Sequence, residues 1–154
     1  MSLHEFLSPE AVLPALRVSG KKQALHELAH QAARLSGLEE RVIFEALWQR
    51  ERLGSTGIGE GIAIPHGKLP GLERLVGLLA RLERPIDFEA LDGQPIDIIF
   101  LLLAPEGAGA DHLKALAKVA RVLRDPATTE RIRATRDADA LYAVMTQTSA
   151  PRAA

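Results

Sequence analysis

The chain has 154 residues, of which 47% are hydrophobic and 25% charged. This composition is typical of one globular domain and is too apolar for an intrinsically disordered chain. With 19 Lys and Arg against 20 Asp and Glu, the net charge of −1 lacks the basic excess that binding to a phosphate backbone requires, so no nucleic-acid partner is expected. The absence of cysteine excludes disulfides, thiolate metal sites and a cysteine nucleophile.

No segment of the sequence suggests a membrane span or an export signal. The longest wholly apolar run, Ile98–Ala104, is far shorter than the roughly 20 residues that a membrane-spanning helix needs. The N-terminal residues 1–5 contain neither a basic stretch nor a long apolar one, as a secretory signal would. We therefore expect a cytoplasmic protein without membrane insertion.

The first part of the chain predicts two helices. A short helical turn and a strand near Leu16–Val18 come first. Apolar residues then recur at helical spacing over Lys21–Leu35, and Ser36-Gly37 ends this helix because glycine tolerates the left-handed conformation of a C-cap. A second helix is predicted over Glu39–Leu53, with two acidic residues in its first turn.

Strands are predicted in the middle of the chain. Residues 55–61 contain too many glycines for a helix or strand, whereas Ile62–Ile64 indicates a short buried strand that stops at Pro65. Leu75–Leu82 has the length and composition of a strand. Asp97–Leu103 is apolar on both faces, as a central strand covered by helices would be.

Helices follow the strands, which makes the predicted fold class α/β. Three helices are predicted, at Asp111–Leu123, Ala127–Arg133 and Asp137–Met145. For the first of them, the predicted core side consists of apolar residues at helical spacing: Leu113, Leu116, Ala117, Ala120 and Leu123.

Two common motifs are matched only in part. The run His26-Glu27-Leu28-Ala29-His30 fits the H-E-x-x-H pattern of zinc proteases, but the third histidine of the longer pattern is absent and both histidines flank the apolar stripe. The glycines at 57, 59 and 61 lack the spacing of a dinucleotide-binding loop, since Ile62 stands where the last glycine is required. A solvated helix edge and a tight turn are the favoured interpretations, so no metal and no cofactor are predicted.

His66 follows the short buried strand, between Pro65 and Gly67. Strand ends in α/β sheets open onto ligand crevices, and a neutral imidazole has one free nitrogen that can act as a nucleophile or base. Arg50 at the end of a helix and His112 at the start of another can lie near this loop. Together they would form a site for a phosphoryl or similar oxyanion group, while a merely solvated histidine is the alternative.

The segment Gly54–Lys68, with the sequence GSTGIGEGIAIPHGK, closely resembles the type-2 enzyme IIA domains of the bacterial phosphotransferase system. These form the fructose/mannitol class, and the resemblance is strongest to their nitrogen-regulatory branch. Shorter matches lie on both sides of this segment, at Arg50–Leu53, Pro85–Phe88, Asp92–Asp97, Asp111–Leu113 and Leu123–Asp125. The resemblance therefore extends over nearly the whole chain, from about residue 6 to residue 146.

The resemblance implies a mixed sheet of roughly five strands with helices on both faces. It implies a single domain over residues 1–146, followed by a flexible C-terminal tail over 147–154. It also implies that His66 accepts a phosphoryl group on Nε2 from an HPr-like phosphocarrier protein, with Arg50 and His112 in contact with that group. Three positions of the same motif would support the site: Ser55, Thr56 and Glu60.

Two functions agree with this resemblance, and both make the protein a phosphotransferase component with a phosphohistidine intermediate. The first is a nitrogen-regulatory IIA protein, whose phosphorylation state controls partner proteins. The second is a fructose- or mannitol-type IIA component that passes phosphate to a IIB partner. The nitrogen-branch features of the motif, and the lack of a fused IIB, HPr or transporter segment in these 154 residues, favour the first. In either case we expect His66 to react as a neutral imidazole, with one ring N–H held by an acceptor such as a backbone carbonyl.

Overall fold

The computed structural model describes residues 1–149, and the side chains of residues 1–147. The strands of this part of the chain are β1 (Val12–Leu16), β2 (Gly57–Gly59), β3 (Ile62–Ala63), β4 (His66–Leu69), β5 (Val76–Ile86) and β6 (Ile96–Pro105). Its α-helices are α1 (Lys21–Ser36), α2 (Glu40–Arg52), α3 (Ala110–Leu123), α4 (Pro126–Ala134) and α5 (Ala138–Ser149). Within residues 1–149, no helix combines the length and the apolar character needed to cross a bilayer.

The sheet is built around β6. This strand pairs antiparallel with β5 and parallel with β3 and β4, while β1 is parallel to β5 and β2 is antiparallel to β3. β3 and β4 lie end to end along β6, with Ile62 opposite Ile98 and His66 opposite Leu102. The six segments therefore occupy five positions of a mixed sheet, as the resemblance implies.

Both faces of the sheet are covered. Every residue from Ile98 to Ala104 is fully buried, and consecutive side chains of a strand point to opposite faces. Helices α1 and α2 pack on each other and on β5 and β4, whereas α3 and α5 pack on β6 and β1. The prediction of a central strand covered by helices is confirmed.

Two strand predictions are wrong in detail. The N-terminal strand lies at Val12–Leu16 and not at 16–18; it can include Pro14 because β1 pairs with β5 alone and is an edge of the sheet. The glycine-rich segment also contains a strand, β2, since Gly57 pairs with Ala63. A side chain could not replace the hydrogen of Gly57, because a Cβ there would lie 2.7 Å from the Cβ of Ala90. The glycine therefore lets β2 lie close to the loop at Ala90, which the strand propensity of glycine does not indicate.

The predicted core face of α3 is also wrong, except at Leu123. The buried residues are His112, Ala115, Val119, Val122 and Leu123, whereas Leu113 is 66% exposed and Leu116 is half-buried. The helix has two apolar stripes, and the one with the smaller side chains packs on the sheet. The stripe with the larger leucines consequently remains at the surface.

The C-terminal boundary lies beyond the predicted one. Residues 147–149, which we assign to a flexible tail from the sequence, belong to α5. The rest of the predicted tail, 150–154, lies outside the described residues.

We predict that Phe100→Ala destabilises the protein by about 3–5 kcal/mol, the usual cost of removing a large buried aromatic side chain. Phe100 is fully buried in β6 and packs edge-to-face against Phe6, with ring centroids 6.3 Å apart. The matched control is Leu91→Ala, because Leu91 is 92% exposed and its truncation should change stability by less than about 0.5 kcal/mol. Urea denaturation measures both; equal losses in the two variants would contradict this account of the core.

Candidate functional site

His66 begins β4, directly after the break between β3 and β4. Pro65 causes this break, since it has no N–H and its ring restricts the preceding Ile64 to extended conformations. The carbonyl of Ile64 lies 2.8 Å from His66 Nδ1. A carbonyl can only accept, so in the neutral ring Nδ1 holds the proton and Nε2 has the free lone pair. This is the backbone acceptor expected from the sequence.

The surroundings of His66 favour its neutral form. Burial of the half-buried ring lowers its pKa below the ordinary value of 6.5. The hydrogen bond to Ile64 raises the pKa, the positive charge of Arg50 lowers it and the carboxylate of Glu51 raises it, but the net direction is downward. The ring is therefore ready to act as a nucleophile near neutral pH.

His112 lies beside His66, on the first turn of α3. The two ring centroids are 5.7 Å apart, and His112 is only 7% exposed. Burial lowers the pKa of His112, and the charges of His66 and Lys68 lower it further. Its Nδ1 is buried without a hydrogen-bond partner in the described part of the chain. Buried polar atoms are almost always paired, so this nitrogen is an exception in the described structure.

Arg50 and His66 together line two cavities. One has a volume of about 450 Å³ and is also lined by Lys68 and His112. The other has a volume of about 500 Å³ and includes the loop 55–59. The guanidinium of Arg50 donates one hydrogen bond, from Nη1 to the carbonyl of Gly54 at 3.0 Å. The structure thus brings Arg50, His66 and His112 together and adds the ammonium group of Lys68, which the sequence analysis did not select as a site residue.

Ser55 and Thr56 form the wall of the larger cavity. Ser55 Oγ donates to the carbonyl of Phe88 at 2.9 Å and accepts the N–H of Gly57 at 3.1 Å. Thr56 is buried and donates both its N–H and its hydroxyl to the carboxylate of Glu51. Both side chains therefore hold the loop in place.

Glu60 lies elsewhere, at the tip of the hairpin formed by β2 and β3. It has a φ of +57°, followed by Gly61 at +83°, as in the tight turns that connect twisted antiparallel strands. Its N–H donates to Asp92 at 2.9 Å and its carbonyl accepts from Arg133 at 2.8 Å. Its side chain is exposed and lines neither of the two cavities at His66. The described structure therefore places Glu60 in the hairpin turn and not beside Nε2 of His66.

The histidine pair of α1 contacts α2. His26 stacks on Phe44 with ring centroids 3.7 Å apart, and His30 Nδ1 lies 2.6 Å from Glu40. Among residues 1–149, no three His, Cys, Asp or Glu side chains are placed to hold a metal ion. The two rings therefore pair with neighbouring side chains of the second helix and not with each other.

Three exposed leucines near the site were missed by the sequence analysis. Leu53 lines the smaller cavity and is 85% exposed, and Leu91 lines the larger one and is 92% exposed. Leu113 directly follows His112 in α3. Their exposure has a local signal in the sequence. Leu53 and Leu91 lie next to glycine-containing turns, where few side chains are available for a large apolar group to pack against.

The chain is similar to known proteins in sequence and in fold. The sequence model of the family described as "Phosphoenolpyruvate-dependent sugar phosphotransferase system, EIIA 2" matches residues 5–148. A nitrogen regulatory protein of Bradyrhizobium diazoefficiens is 63% identical over 145 residues, which cover 94% of this chain and 95% of that protein. The crystal structure of nitrogen regulatory protein IIA-Ntr from Neisseria meningitidis matches with a TM-score of 0.89 at 35% identity, covering 94% of this chain and 99% of that one. The fructose-specific EIIABC component of Bacillus subtilis is 30% identical over 148 residues, which are 96% of this chain and 23% of that protein.

We predict that the pKa of His66 in the folded protein is lower than its pKa in the unfolded chain. The neutral ring is the form expected to react, so reactivity should fall as the pH falls through this pKa. Because burial lowers the pKa, this fall in reactivity should occur at a lower pH than for an ordinary histidine. NMR titration of the ring signals, in the folded protein and in urea, measures the difference. A pKa of His66 equal to or above the unfolded value would contradict the described environment.

Proposed function

The chain belongs to the EIIA 2 family of the phosphoenolpyruvate-dependent sugar phosphotransferase system, and we propose that His66 is its phosphoryl acceptor. The donor would be an HPr-like phosphocarrier protein in the cytoplasm, and the product would be a phosphohistidine at Nε2. The observation that supports this most directly is the hydrogen bond from Nδ1 to Ile64, because it leaves Nε2 with its lone pair beside an open cavity.

Phosphoryl transfer between two histidines requires little covalent machinery from the protein. The lone pair of Nε2 forms a bond to phosphorus while the bond between phosphorus and the donor's ring nitrogen breaks, and its electron pair returns to the donor's ring. Positive charge and hydrogen-bond donors stabilise the negative charge of the transferred group. Arg50 and Lys68 supply charge, and the imidazole of His112, which lines the same cavity, can supply a hydrogen bond to a phosphoryl oxygen.

The exposed leucines provide a contact surface for the donor. Leu53, Leu91 and Leu113 are all more than half exposed, and two of them line the cavities that contain His66. Apolar groups that stay exposed around a polar site are typical of protein–protein contact surfaces. We therefore propose that the phosphocarrier covers these leucines when its phosphohistidine reaches Nε2.

We further propose a regulatory role, in which the phosphorylation state of His66 changes the binding of partner proteins. The high identity to a nitrogen regulatory protein over 94% of the chain supports this role. The alternative is a sugar-transport IIA component that passes phosphate to a IIB domain, and the weaker similarity to a fructose-specific component supports it. The site residues would serve either role.

We predict that His66→Gln abolishes phosphorylation by a phosphorylated HPr-like carrier, and that Arg50→Ala slows it by about 100-fold through loss of charge stabilisation. Intact-protein and peptide mass spectrometry follow the transfer. Arg52→Ala is the matched control, because Arg52 is an exposed arginine in the same turn of α2 and should transfer normally.

Phosphate on a residue other than His66, or an Arg50→Ala rate equal to that of Arg52→Ala, would contradict the proposed site. A fructose-type IIB domain added to the same assay tests the role. The regulatory proposal predicts slow transfer to it, and rapid transfer would favour the sugar-transport alternative.

We also predict that Leu91→Asp lowers kcat/KM for phosphorylation by about tenfold and leaves the thermal melting temperature unchanged, because the side chain contributes to docking but not to the core. The matched control is Val42→Asp, an exposed apolar residue in the first turn of α2. It lies about 12 Å from Arg50 along the helix axis and should not alter transfer. Equal effects of the two substitutions would remove the leucine surface from the docking contact.

A further inference from the structure

We propose that Glu51 is a positioning residue for His66. It acts on the imidazole through a path of hydrogen bonds that includes the backbones of Thr56 and Ile64. The proposal rests on the proposed function of His66 and deepens it, since it identifies what holds the reactive nitrogen in its tautomeric state. Glu51 does not line either cavity at His66, so it is not placed to touch the transferred group.

The carboxylate of Glu51 is buried and fully engaged. Its side chain is 2% exposed, and it forms an ion pair of 2.9 Å with the ammonium group of Lys21 at the start of α1. It accepts the N–H of Thr56 at 3.2 Å and the hydroxyl of the same residue. A carboxylate at this depth is stable only when it is paired and hydrogen-bonded, so these partners fix its position.

The contact between Glu51 and Thr56 continues to the imidazole. The carbonyl of Thr56 accepts the N–H of Ile64 at 3.0 Å, and the carbonyl of Ile64 accepts His66 Nδ1–H at 2.8 Å. Thr56 and Ile64 are 5% and 3% exposed, so water is largely kept from this path. Four consecutive polar contacts therefore connect Lys21 in α1 to the ring of His66.

This path has a chemical consequence because the tautomer decides which nitrogen can react. A free neutral imidazole prefers the proton on Nε2, which would occupy the lone pair needed for phosphoryl transfer. The carbonyl of Ile64 reverses that preference only if it stays aimed at Nδ1. Pro65 restricts the rotation of Ile64 from one side, and the bond to Thr56 restricts it from the other.

The experiment compares Glu51→Gln with wild type in the full unphosphorylated chain. Two-bond ¹H–¹⁵N NMR spectra of the His66 ring are recorded at about pH 8, where imidazole is neutral. Wild type should show the Nδ1–H tautomer, and the variant should show a mixture with Nε2–H. The rate of phosphorylation by an HPr-like carrier should fall about tenfold, as for other small losses of alignment. Glu45→Gln is the control, an exposed glutamate of the same helix, and it should match wild type in both measurements.

A second pair of variants decides the question if Glu51→Gln does not fold. Thr56→Val keeps the size of the side chain and the backbone N–H, but it removes the hydroxyl that donates to Glu51. It should also shift the His66 ring towards the Nε2–H tautomer. Thr56→Ser restores the hydroxyl and should restore the wild-type spectrum. A single Nδ1–H tautomer in a folded Glu51→Gln variant, or in Thr56→Val where the first does not fold, would overturn the proposal.

The spectra also separate this proposal from the proposed function. A shifted tautomer in the variants, together with a wild-type protein that takes no phosphate on His66, would support the positioning role and refute the phosphoryl-acceptor role. Normal phosphorylation of wild type, together with unshifted tautomers in the variants, would support the phosphoryl-acceptor role of His66 and refute the positioning role of Glu51.

Discussion

The site depends on a single hydrogen bond, between Nδ1 of His66 and the carbonyl of Ile64. The bond forms because Pro65 interrupts the strand beside β6 and the chain then pairs with the same strand again, with His66 opposite Leu102. An uninterrupted strand would use that carbonyl in the sheet ladder and leave the imidazole unconstrained. Because of the break, the carbonyl of Ile64 is free to accept from Nδ1 and to orient the ring of His66.

The charges around this imidazole are unbalanced in the unphosphorylated protein. Arg50 and Lys68 line the same cavity as His66, and no acidic residue is among the described residues that line it. Glu51, the neighbour of Arg50, is already paired with Lys21. A phosphoryl group would bring the negative charge that this cavity lacks. Because exposed leucines border the cavity, the gain of that charge would change a surface that is otherwise apolar and weakly basic. If His66 is phosphorylated as we propose, a phosphorylation-dependent contact with a partner protein would follow from the same arrangement that stabilises the transfer.

The sequence was sufficient for the features that depend on long patterns. The apolar run 98–104 predicts the central strand, and the resemblance around His66 predicts that Arg50 and His112 lie near it, as the structure shows. Features that depend on tertiary packing were not accessible. Gly57 belongs to a strand because it pairs with Ala63, and Glu60 lies in a hairpin turn although its motif suggests a site residue. The burial of Glu51 likewise depends on its contact with Lys21, which comes from another helix.

Helix α3 connects the core, the chemistry and the surface through consecutive residues. Its smaller apolar stripe packs on the sheet, which turns His112 inward and leaves Leu113 exposed. Neighbouring residues of a helix point about 100° apart, so a protein that covers Leu113 comes within reach of the cavity at His112. Sequence patterning cannot choose between two apolar stripes of equal period, because the choice depends on the volume left above β6. The stripe with the larger side chains, which includes Leu113 and Leu116, therefore lies outside the core and borders the site at His66.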